Sequence, residues 1–250
     1  MPPAHAIRSQ LYAGTSGWAY ASWKLGFYPA AVPAKKFLQH YSSQLNSVEV
    51  NYTFRALPTA SMIENWLAAT PEDFRFSFKA PQRITHIRRL KESERDLEAF
   101  INSVASVRDA GRLGLLLFQL PPNFKLDLDR LSSFLSSPTL KSHRIAFEFR
   151  NYTWFTPELF ALLHQYNAAL CVAESDDLIT PDEQTASHLC YRLRRSNYTA
   201  AQARELAAKF STLSRKHDTF VYFKHEDDPA NALLAASMLQ QARALTAGKL

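Results

Sequence analysis

The chain has 250 residues, of which 46% are hydrophobic and 21% charged, the composition of an ordinary soluble globular protein with a sizeable core. No apolar run is long enough for a membrane span, and the N-terminus has no apolar segment of a secretory signal. The formal net charge of +6 weakly favours an anionic partner. The two cysteines, Cys171 and Cys190, lie in apolar strand-like runs, so we expect buried free thiols and a reducing, cytoplasmic location.

Eight strands are predicted from runs of apolar or alternating residues. After a loose arm at residues 1–10, seven of them cover residues 11–15, 47–51, 74–79, 113–120, 168–173, 188–194 and 219–224. The fifth lies within residues 144–154, where Phe147 and Phe149 share one face of the strand and Glu148 and Arg150 share the other.

Helices are predicted after most strands, where apolar residues recur at helical spacing. Their predicted starts are Pro33, Pro58 as first helical residue, Ser93 as N-cap, Thr156 with Pro157, the capping box of Thr199 with Gln202, and Pro229. The link from strand six to strand seven, which ends at Ser187, has no helical period. We therefore expect a short, irregular or missing helix there.

The alternation of strands and helices predicts an α/β fold with a parallel sheet, and eight units in this length predict a single (β/α)8 TIM-type barrel over residues 1–250. Strands two, three, five and seven alternate polar and apolar residues, which is more typical of antiparallel sheets with one wet face. We resolve this conflict by placing the polar residues inside the barrel and the apolar ones against the helices.

The active site of such a barrel lies at the C-terminal ends of its strands, which form the mouth. Nearly every predicted strand ends in polar or charged residues: Ser16 and Trp18, Glu49 and Asn51, Lys79, Gln119, Glu148 and Arg150, Glu174 and Asp176, Arg192 and Arg194, then Lys224 and His225. This convergence predicts a ligand site. The alternative is a network of buried ion pairs that neutralises itself.

The expected ligand is a small phosphorylated or carboxylated anion, because arginine forks suit both groups. Arg150, Arg192 and Lys224 are predicted to bind it, and Lys79 and Asn51 to orient it. The predicted acid–base groups are Glu148 and Glu49. Further substrate contacts are expected from four residues near the mouth: Trp18, His86, Gln119 and Trp154.

Two other functions stay open. A nucleic-acid-binding or nucleic-acid-processing protein would use the basic loop at residues 83–89, Arg194, Arg195 and the aromatic residues near the mouth. A non-catalytic barrel would bind a small molecule without turnover. No metal is predicted, because the acidic and histidine residues Glu174, Asp176, His225, Glu226 and Asp227 lack a recognised ligand spacing and lie near arginines. A Schiff base at Lys79 or Lys224 has no specific support in the sequence; cofactor and oligomeric state stay unknown.

Several segments together resemble the YecE-like family, also catalogued as domain of unknown function seventy-two. They are Gly14-Thr15-Ser16-Gly17-Trp18, Tyr28-Pro29, Val48-Glu49-Val50-Asn51 with Thr53-Phe54, Phe74-Arg75-Phe76 with Lys79, Thr85-His86, Leu117-Phe118-Gln119-Leu120-Pro121-Pro122, Phe147-Glu148-Phe149-Arg150 with Trp154, and Tyr191-Arg192-Leu193. The resemblance implies a TIM-type barrel and no established activity.

The chain also departs from that family's pattern. Many members have an aromatic residue where Arg55 stands and His-Gly where Arg194 and Arg195 stand, so this mouth is expected to be more cationic than theirs. A likeness of the family to metal-dependent DNA-repair endonucleases has poor support here, since only His86 and His225 among the histidines fall near the mouth.

Overall fold

The structure is a computed structural model that describes residues 10–174, 178–195, 198–224 and 229–248. Within these residues, eight strands form one sheet: β1 Leu11–Thr15, β2 Ser47–Val50, β3 Arg75–Lys79, β4 Leu113–Gln119, β5 Ile145–Glu148, β6 Ala168–Ala173, β7 His188–Leu193 and β8 Asp218–Phe223. Each strand pairs in parallel with its neighbour, in the order β1-β8-β7-β6-β5-β4-β3-β2. The predicted α/β barrel of the TIM type is confirmed.

Helices cover most of the connections between strands. In the described ranges they are α1 Phe37–Gln44, α2 Ala60–Ala68, α3 Glu94–Ser103, α4 Ala105–Asp109, α5 Leu128–Leu135, α6 Pro157–Gln165, α7 Ala200–Leu213 and α8 Ala230–Thr246. Residues 178–187, which lead into β7, contain no helix, in agreement with the sequence. Each helix that follows a strand brings the chain back to the start of the next, so every strand's C-terminal end meets at one mouth.

Side-chain caps fix where two of these helices begin. Thr156 precedes Pro157 and accepts a hydrogen bond from the Leu159 N–H at 3.3 Å. Thr199 and Gln202 form the predicted capping box at the start of α7. In both cases the threonine hydroxyl supplies an acceptor for an otherwise unpaired N–H of the first turn. The cap thereby fixes the residue at which the helix begins and so which of its side chains face the core.

Two local predictions are wrong, those for Pro58 and for the basic loop, and the prediction for Ser93 is confirmed for its position only. Helix α2 begins after Thr59, whose Oγ1 accepts from the Met62 N–H at 3.2 Å, so Pro58 precedes the cap instead of being the first helical residue. Ser93 occupies the N-cap position of α3, but its buried hydroxyl has no hydrogen-bond partner among the described residues. The predicted basic loop contains a π-helical turn, Arg83–Ile87.

The barrel closes between β1 and β2 through one backbone bridge, from Ser16 to Glu49, and through side chains. Asn46 accepts from a β1 N–H at 2.8 Å and donates to a β1 carbonyl at 2.8 Å. The Tyr41 hydroxyl accepts from the Thr15 N–H at 2.7 Å and donates to the Ser47 carbonyl at 3.0 Å. A Cβ on Gly14 would lie 1.9 Å from the Ser47 carbonyl oxygen, so glycine is needed for the two strands to approach this closely.

The two faces of the strands carry two different cores. Phenylalanines on the outer face pack under the helices; Phe118 and Phe147 stack with their ring centroids 5.2 Å apart. The inner face holds a smaller apolar cluster of Tyr12, Leu115, Leu117, Ala146, Ala169, Cys171, Cys190, Phe220 and Tyr222. The two cysteines are buried and free, as predicted, with their sulfur atoms 3.3 Å apart. Charged residues lie above this inner cluster, toward the mouth.

Candidate functional site

A buried ion-pair network occupies the centre of the barrel mouth. Arg192, from β7, donates from Nη2 to Glu49 Oε1 at 2.6 Å and from Nη1 to Glu148 Oε2. All three side chains are at most 2% exposed. Ser16, which forms a parallel bridge with Glu49 between the barrel's two closing strands, donates its hydroxyl to Glu49 Oε1 at 2.8 Å. The structure thus brings together Glu49, Glu148 and Arg192, as the strand alternation predicts.

Glu148 is saturated with hydrogen-bond donors. Gln119 Nε2 donates to both of its oxygens at 2.9 Å, and Arg150 Nε donates to Oε1 at 3.0 Å, in addition to the bond from Arg192. Gln119 in turn accepts from Lys79 Nζ at 2.9 Å. A carboxylate that accepts this many bonds is held as an anion and has little capacity left for a proton.

The electrostatics of the two glutamates follow from this network. Burial by itself would raise the pKa of Glu148, but Arg192, Arg194, Arg150 and the Gln119 amide outweigh it and hold that pKa far below its usual range. Burial likewise opposes ionisation of Glu49, and Arg192 with its neighbours lowers the pKa of Glu49 below its ordinary value. Both groups are therefore anions at neutral pH.

Four buried polar atoms at the mouth have no hydrogen-bond partner within the described ranges. They are Glu49 Oε2, Asn51 Oδ1, Arg192 Nε and Arg194 Nε. Unpaired buried polar atoms are rare in folded proteins, because each costs about 1–3 kcal/mol. Their concentration at one end of the barrel marks that end as a place where a polar ligand would complete the hydrogen bonding.

Two adjoining cavities open at this end. The first, of ≈ 300 Å³, is lined by Ser16, Asn51, Phe54, Arg55, Lys79, Gln119, Arg150, Arg192 and Arg194. The second, of ≈ 280 Å³, is lined by Pro122, Glu148, Phe149, Arg150, Ala173, Leu178, Thr180 and Arg194. Arg150 and Arg194 lie between the two and contribute to both walls. Each cavity has the size of a small-metabolite site.

Lys79 has an unusual setting among the cations of the mouth. Its Nζ lies 4.1 Å from the ring centroid of Phe54. Burial lowers the pKa of Lys79 to about 8, and Arg192 adds to the lowering. His86, on the π-helical turn, contacts Phe54 edge-on with the ring centroids 5.0 Å apart. Burial, with the charges of Lys79 and Arg150, lowers the pKa of His86, so that side chain is neutral near pH 7.

Four of the predicted substrate contacts line neither mouth cavity: Trp18, His86, Trp154 and Lys224. Trp154 is fully buried in the core, where its indole N–H donates to the Phe124 carbonyl at 2.7 Å and its ring stacks on Phe149. Trp18 packs edge-on against Trp66 of α2, with their ring centroids 5.5 Å apart. Lys224 follows β8.

Other mouth residues were missed or only partly foreseen. Arg194 shares a strand face with Arg192, and that alternation was the signal that could have given it a binding role. Phe54 lies in the short helical turn Tyr52–Phe54 after β2, and no sequence pattern indicated its contact with Lys79. Thr180 comes from the irregular link between β6 and β7, whose conformation has no sequence signature.

Part of the charge of the basic segment at residues 83–89 is offset locally. Arg83 Nε and Arg88 Nε bind the two carboxylate oxygens of Asp96 at 2.8 and 2.6 Å, so one carboxylate is shared by two arginines. Arg89 donates to the neutral Asn123 amide at 3.2 Å and keeps its charge. The segment therefore remains cationic, with one positive charge fewer than the sequence suggested.

No group of three or more metal-ligating side chains converges within the described ranges. Of the residues weighed for a metal, Asp176, His225, Glu226 and Asp227 lie outside those ranges. Glu174 accepts a hydrogen bond from the Tyr198 hydroxyl. Of the helices that the structure describes, none combines the length and the apolar character needed to cross a bilayer.

Comparison with known proteins identifies relatives across the chain. Residues 12–249 match the family described as "Protein of unknown function DUF72". "UPF0759 protein YunF" of Bacillus subtilis is 31% identical over 155 residues, which are 60% of this chain and 54% of that protein. "UPF0759 protein YecE" of Escherichia coli is 32% identical over 129 residues, 51% of this chain and 44% of that protein. The chain thus spans about half the length of these curated relatives.

Solved structures agree on the fold. A DUF72 family protein from Thermotoga maritima has a TM-score of 0.77 at 24% identity and covers 94% of this chain and 98% of its own. A DUF72 family protein from Enterococcus faecalis has a TM-score of 0.70 at 18% identity, with the same coverage of 94% and 98%. At these identities the likeness shows a shared barrel.

Proposed function

This chain belongs to the DUF72 family, a family of unknown function, and from the geometry of its barrel mouth we propose an enzyme that acts on a small anionic substrate. The substrate carries a phosphate or carboxylate group and binds in the cavities at the C-terminal ends of the strands. The chemistry is acid–base catalysis.

The observation that carries this proposal is an excess of positive charge at the mouth. Five cationic side chains line the two cavities, against the two carboxylates of Glu49 and Glu148; they are Arg55, Lys79, Arg150, Arg192 and Arg194. Arg192 and the two glutamates are buried, Lys79 and Arg194 are partly buried, and Arg55 and Arg150 are more exposed. A network that served only to stabilise the barrel would neutralise itself, because like charges held close together repel one another. An anionic ligand supplies the missing negative charge.

The arginines divide into two roles. Arg192 is held between the two glutamates and is fully buried, so it organises the site. Arg150 is 39% exposed and uses Nε for Glu148, which leaves its terminal nitrogens for a ligand. Arg194 lines both cavities, and its Nε is buried without a partner among the described residues. We assign anion binding to Arg150 and Arg194.

The two carboxylates also have different roles in the proposed site. Glu148 is saturated by Gln119, Arg150 and Arg192 and acts as the anchor that orients them. Glu49 Oε2 has no partner within the described ranges, although Oε1 accepts from Ser16 and Arg192. Glu49 therefore keeps a free lone pair and is the proposed proton acceptor. This assignment narrows the two candidates predicted from the sequence to one.

Binding of inorganic phosphate, measured by isothermal titration calorimetry at low salt, tests the anion site. We expect saturable binding that weakens about tenfold or more in Arg194→Gln, since a hydrogen bond to a charged group contributes about 1.5–3 kcal/mol. Arg130→Gln is the matched control, because Arg130 pairs with Asp127 at the start of α5 and lines neither mouth cavity. Absence of saturable binding by phosphate and by small carboxylates, or an equal loss in both variants, contradicts the proposal.

A screen of phosphatase, esterase and lyase substrates tests the acid–base step. Turnover found in the screen should be lost in Glu49→Gln and retained in Glu98→Gln, whose side chain is exposed on α3. Turnover that survives Glu49→Gln removes Glu49 as the base. Anion binding without turnover in the whole screen favours the non-catalytic barrel instead.

A further inference from the structure

Lys79 differs from the other mouth cations in the partners it has. Its Nζ donates to the neutral amide oxygen of Gln119 at 2.9 Å and lies over the Phe54 ring. Within the described ranges it forms no ion pair with Glu49 or Glu148, whose ion pairs are with Arg192 and Arg150. The Gln119 amide and the Phe54 ring both favour the ammonium form, but neither carries a negative charge, and the Lys79 side chain lines the first cavity.

The charges around Lys79 act on its pKa in both directions: Arg192 and Arg150 lower it, whereas Glu49 and Glu148 raise it. The titratable and charged groups that act on Lys79 are Glu49 from β2, Glu148 and Arg150 from β5, and Arg192 from β7; His86 lies nearby on the π-helical turn. Burial, followed by Arg192, lowers the pKa of Lys79 to about 8. At pH 7 roughly a tenth of such a lysine is free amine, against about 0.04% for an ordinary lysine of pKa near 10.4.

The charge balance of the mouth remains suited to an anion when Lys79 is neutral. Four arginines, including the exposed Arg55, then face two carboxylates, which leaves two positive charges for a carboxylate or a phosphate. Arg150 and Arg194 line the first cavity together with Lys79, so an anion that they hold in that cavity shares it with Lys79 Nζ.

We propose that Lys79 forms a Schiff base with a small anion that carries an aldehyde or keto group, which names the substrate class of the anion site proposed above and rests on it. The neutral amine attacks the carbonyl carbon, and a C–N bond forms as the amine proton passes to the carbonyl oxygen. The carbinolamine then loses that oxygen as water and leaves a C=N bond. The step needs no oxidant, reductant or metal.

Trapping with glyoxylate and borohydride tests this inference on the intact chain. Borohydride reduces the imine, so each reacting lysine becomes carboxymethyl-lysine and is located by peptide mass spectrometry. At pH 7 and low glyoxylate, we expect Lys79 to be modified on the order of 100-fold faster than the exposed Lys125. Its rate should level off above about pH 8, whereas exposed lysines continue to react faster up to higher pH.

Matched variants separate chemistry from folding. Lys79→Arg keeps the positive charge and removes the primary amine, so the fast modification should disappear; Lys125→Arg should leave the modification of Lys79 unchanged. Inorganic phosphate should slow the labelling of Lys79 and leave that of Lys125 unaffected, because it competes only for the mouth.

The outcomes distinguish this inference from the proposed function. If phosphate binds in the mouth by calorimetry but Lys79 reacts no faster than Lys125, the Schiff base is refuted and the anion site stands. If Lys79 reacts rapidly and phosphate neither binds nor protects it, the lysine is reactive but a carbonyl-bearing anion is the wrong substrate class. If neither phosphate binding nor fast labelling is found, both proposals fall.

Discussion

Replacement of Arg192 by methionine should destabilise the barrel strongly at neutral pH. The substitution keeps most of the side-chain volume but leaves Glu49, which is 0% exposed, with only the Ser16 hydroxyl as a donor among the described residues. Glu148 retains its bonds from Gln119 and Arg150. Breaking a buried ion pair in this way costs about 3–5 kcal/mol. For a chain of this length that corresponds to a fall in Tm of roughly 6–20 °C.

The way in which the destabilisation varies with pH distinguishes the loss of a counter-charge from a simple change in core packing. In the native protein the pKa of Glu49 is lowered, so the stability contributed by this group is present above its unfolded pKa and is lost as the pH falls through the folded one. In Arg192→Met, burial acts on Glu49 without its main counter-charge and should raise that pKa. The destabilisation should therefore be largest near pH 7 and shrink toward pH 5, where the carboxyl takes up a proton.

Urea unfolding at pH 7 and pH 5, followed by circular dichroism, measures both effects. Arg130→Met serves as the control, because its pair with Asp127 is partly exposed and should contribute less than about 1 kcal/mol. A loss of less than about 1 kcal/mol in Arg192→Met at pH 7, or a loss that does not change between the two pH values, refutes the reasoning.

Three further predictions concern the mouth and the closure of the barrel. Lys79→Met should raise the free energy of unfolding at pH 7 by about 1–2 kcal/mol, because a partly buried ammonium destabilises the folded protein while it is charged. This gain in stability should vanish as the pH rises from about 8 toward 10, where the lysine of the parent protein loses its proton, and urea unfolding across that range measures it. Asn46→Ala should cost about 2–4 kcal/mol by urea unfolding, since one N–H and one carbonyl of β1 lose their partner, whereas the exposed Asn102→Ala on α3 should cost little. Gly14→Ala should lower Tm by calorimetry because its Cβ would meet the Ser47 carbonyl at 1.9 Å, and an unchanged Tm contradicts the close approach of β1 and β2.

The sequence predicted the barrel and the centre of its mouth for a simple physical reason. Side chains alternate along a strand, so if one set of residues packs against the helices, its neighbours must point into the barrel. This places Glu49, Glu148 and Arg192 inside. Parallel strands then bring their C-terminal ends together. The irregular link before β7 was also predictable, because the missing helical period reflects the absence of an apolar stripe that a helix could bury.

The features that the sequence did not predict depend on three-dimensional contacts. Trp154 resembled a mouth aromatic, but the short turn Tyr152–Trp154 directs its ring onto Phe149, where the Phe124 carbonyl satisfies the indole N–H. The basic segment after β3 resembled a nucleic-acid surface, yet Asp96 on α3 pairs with two of its arginines. The different hydrogen bonding of two similar glutamates likewise emerges only from the folded network.

X-ray diffraction at the selenium edge from crystals soaked in selenate would show whether the mouth binds an anion, because the anomalous signal locates a tetrahedral anion without assumption about its site. We expect a peak in the mouth within hydrogen-bonding distance of Arg150 and Arg194, and its loss in Arg194→Gln. Peaks confined to the outer surface, with the mouth empty at saturating selenate, would contradict an anion site in this barrel.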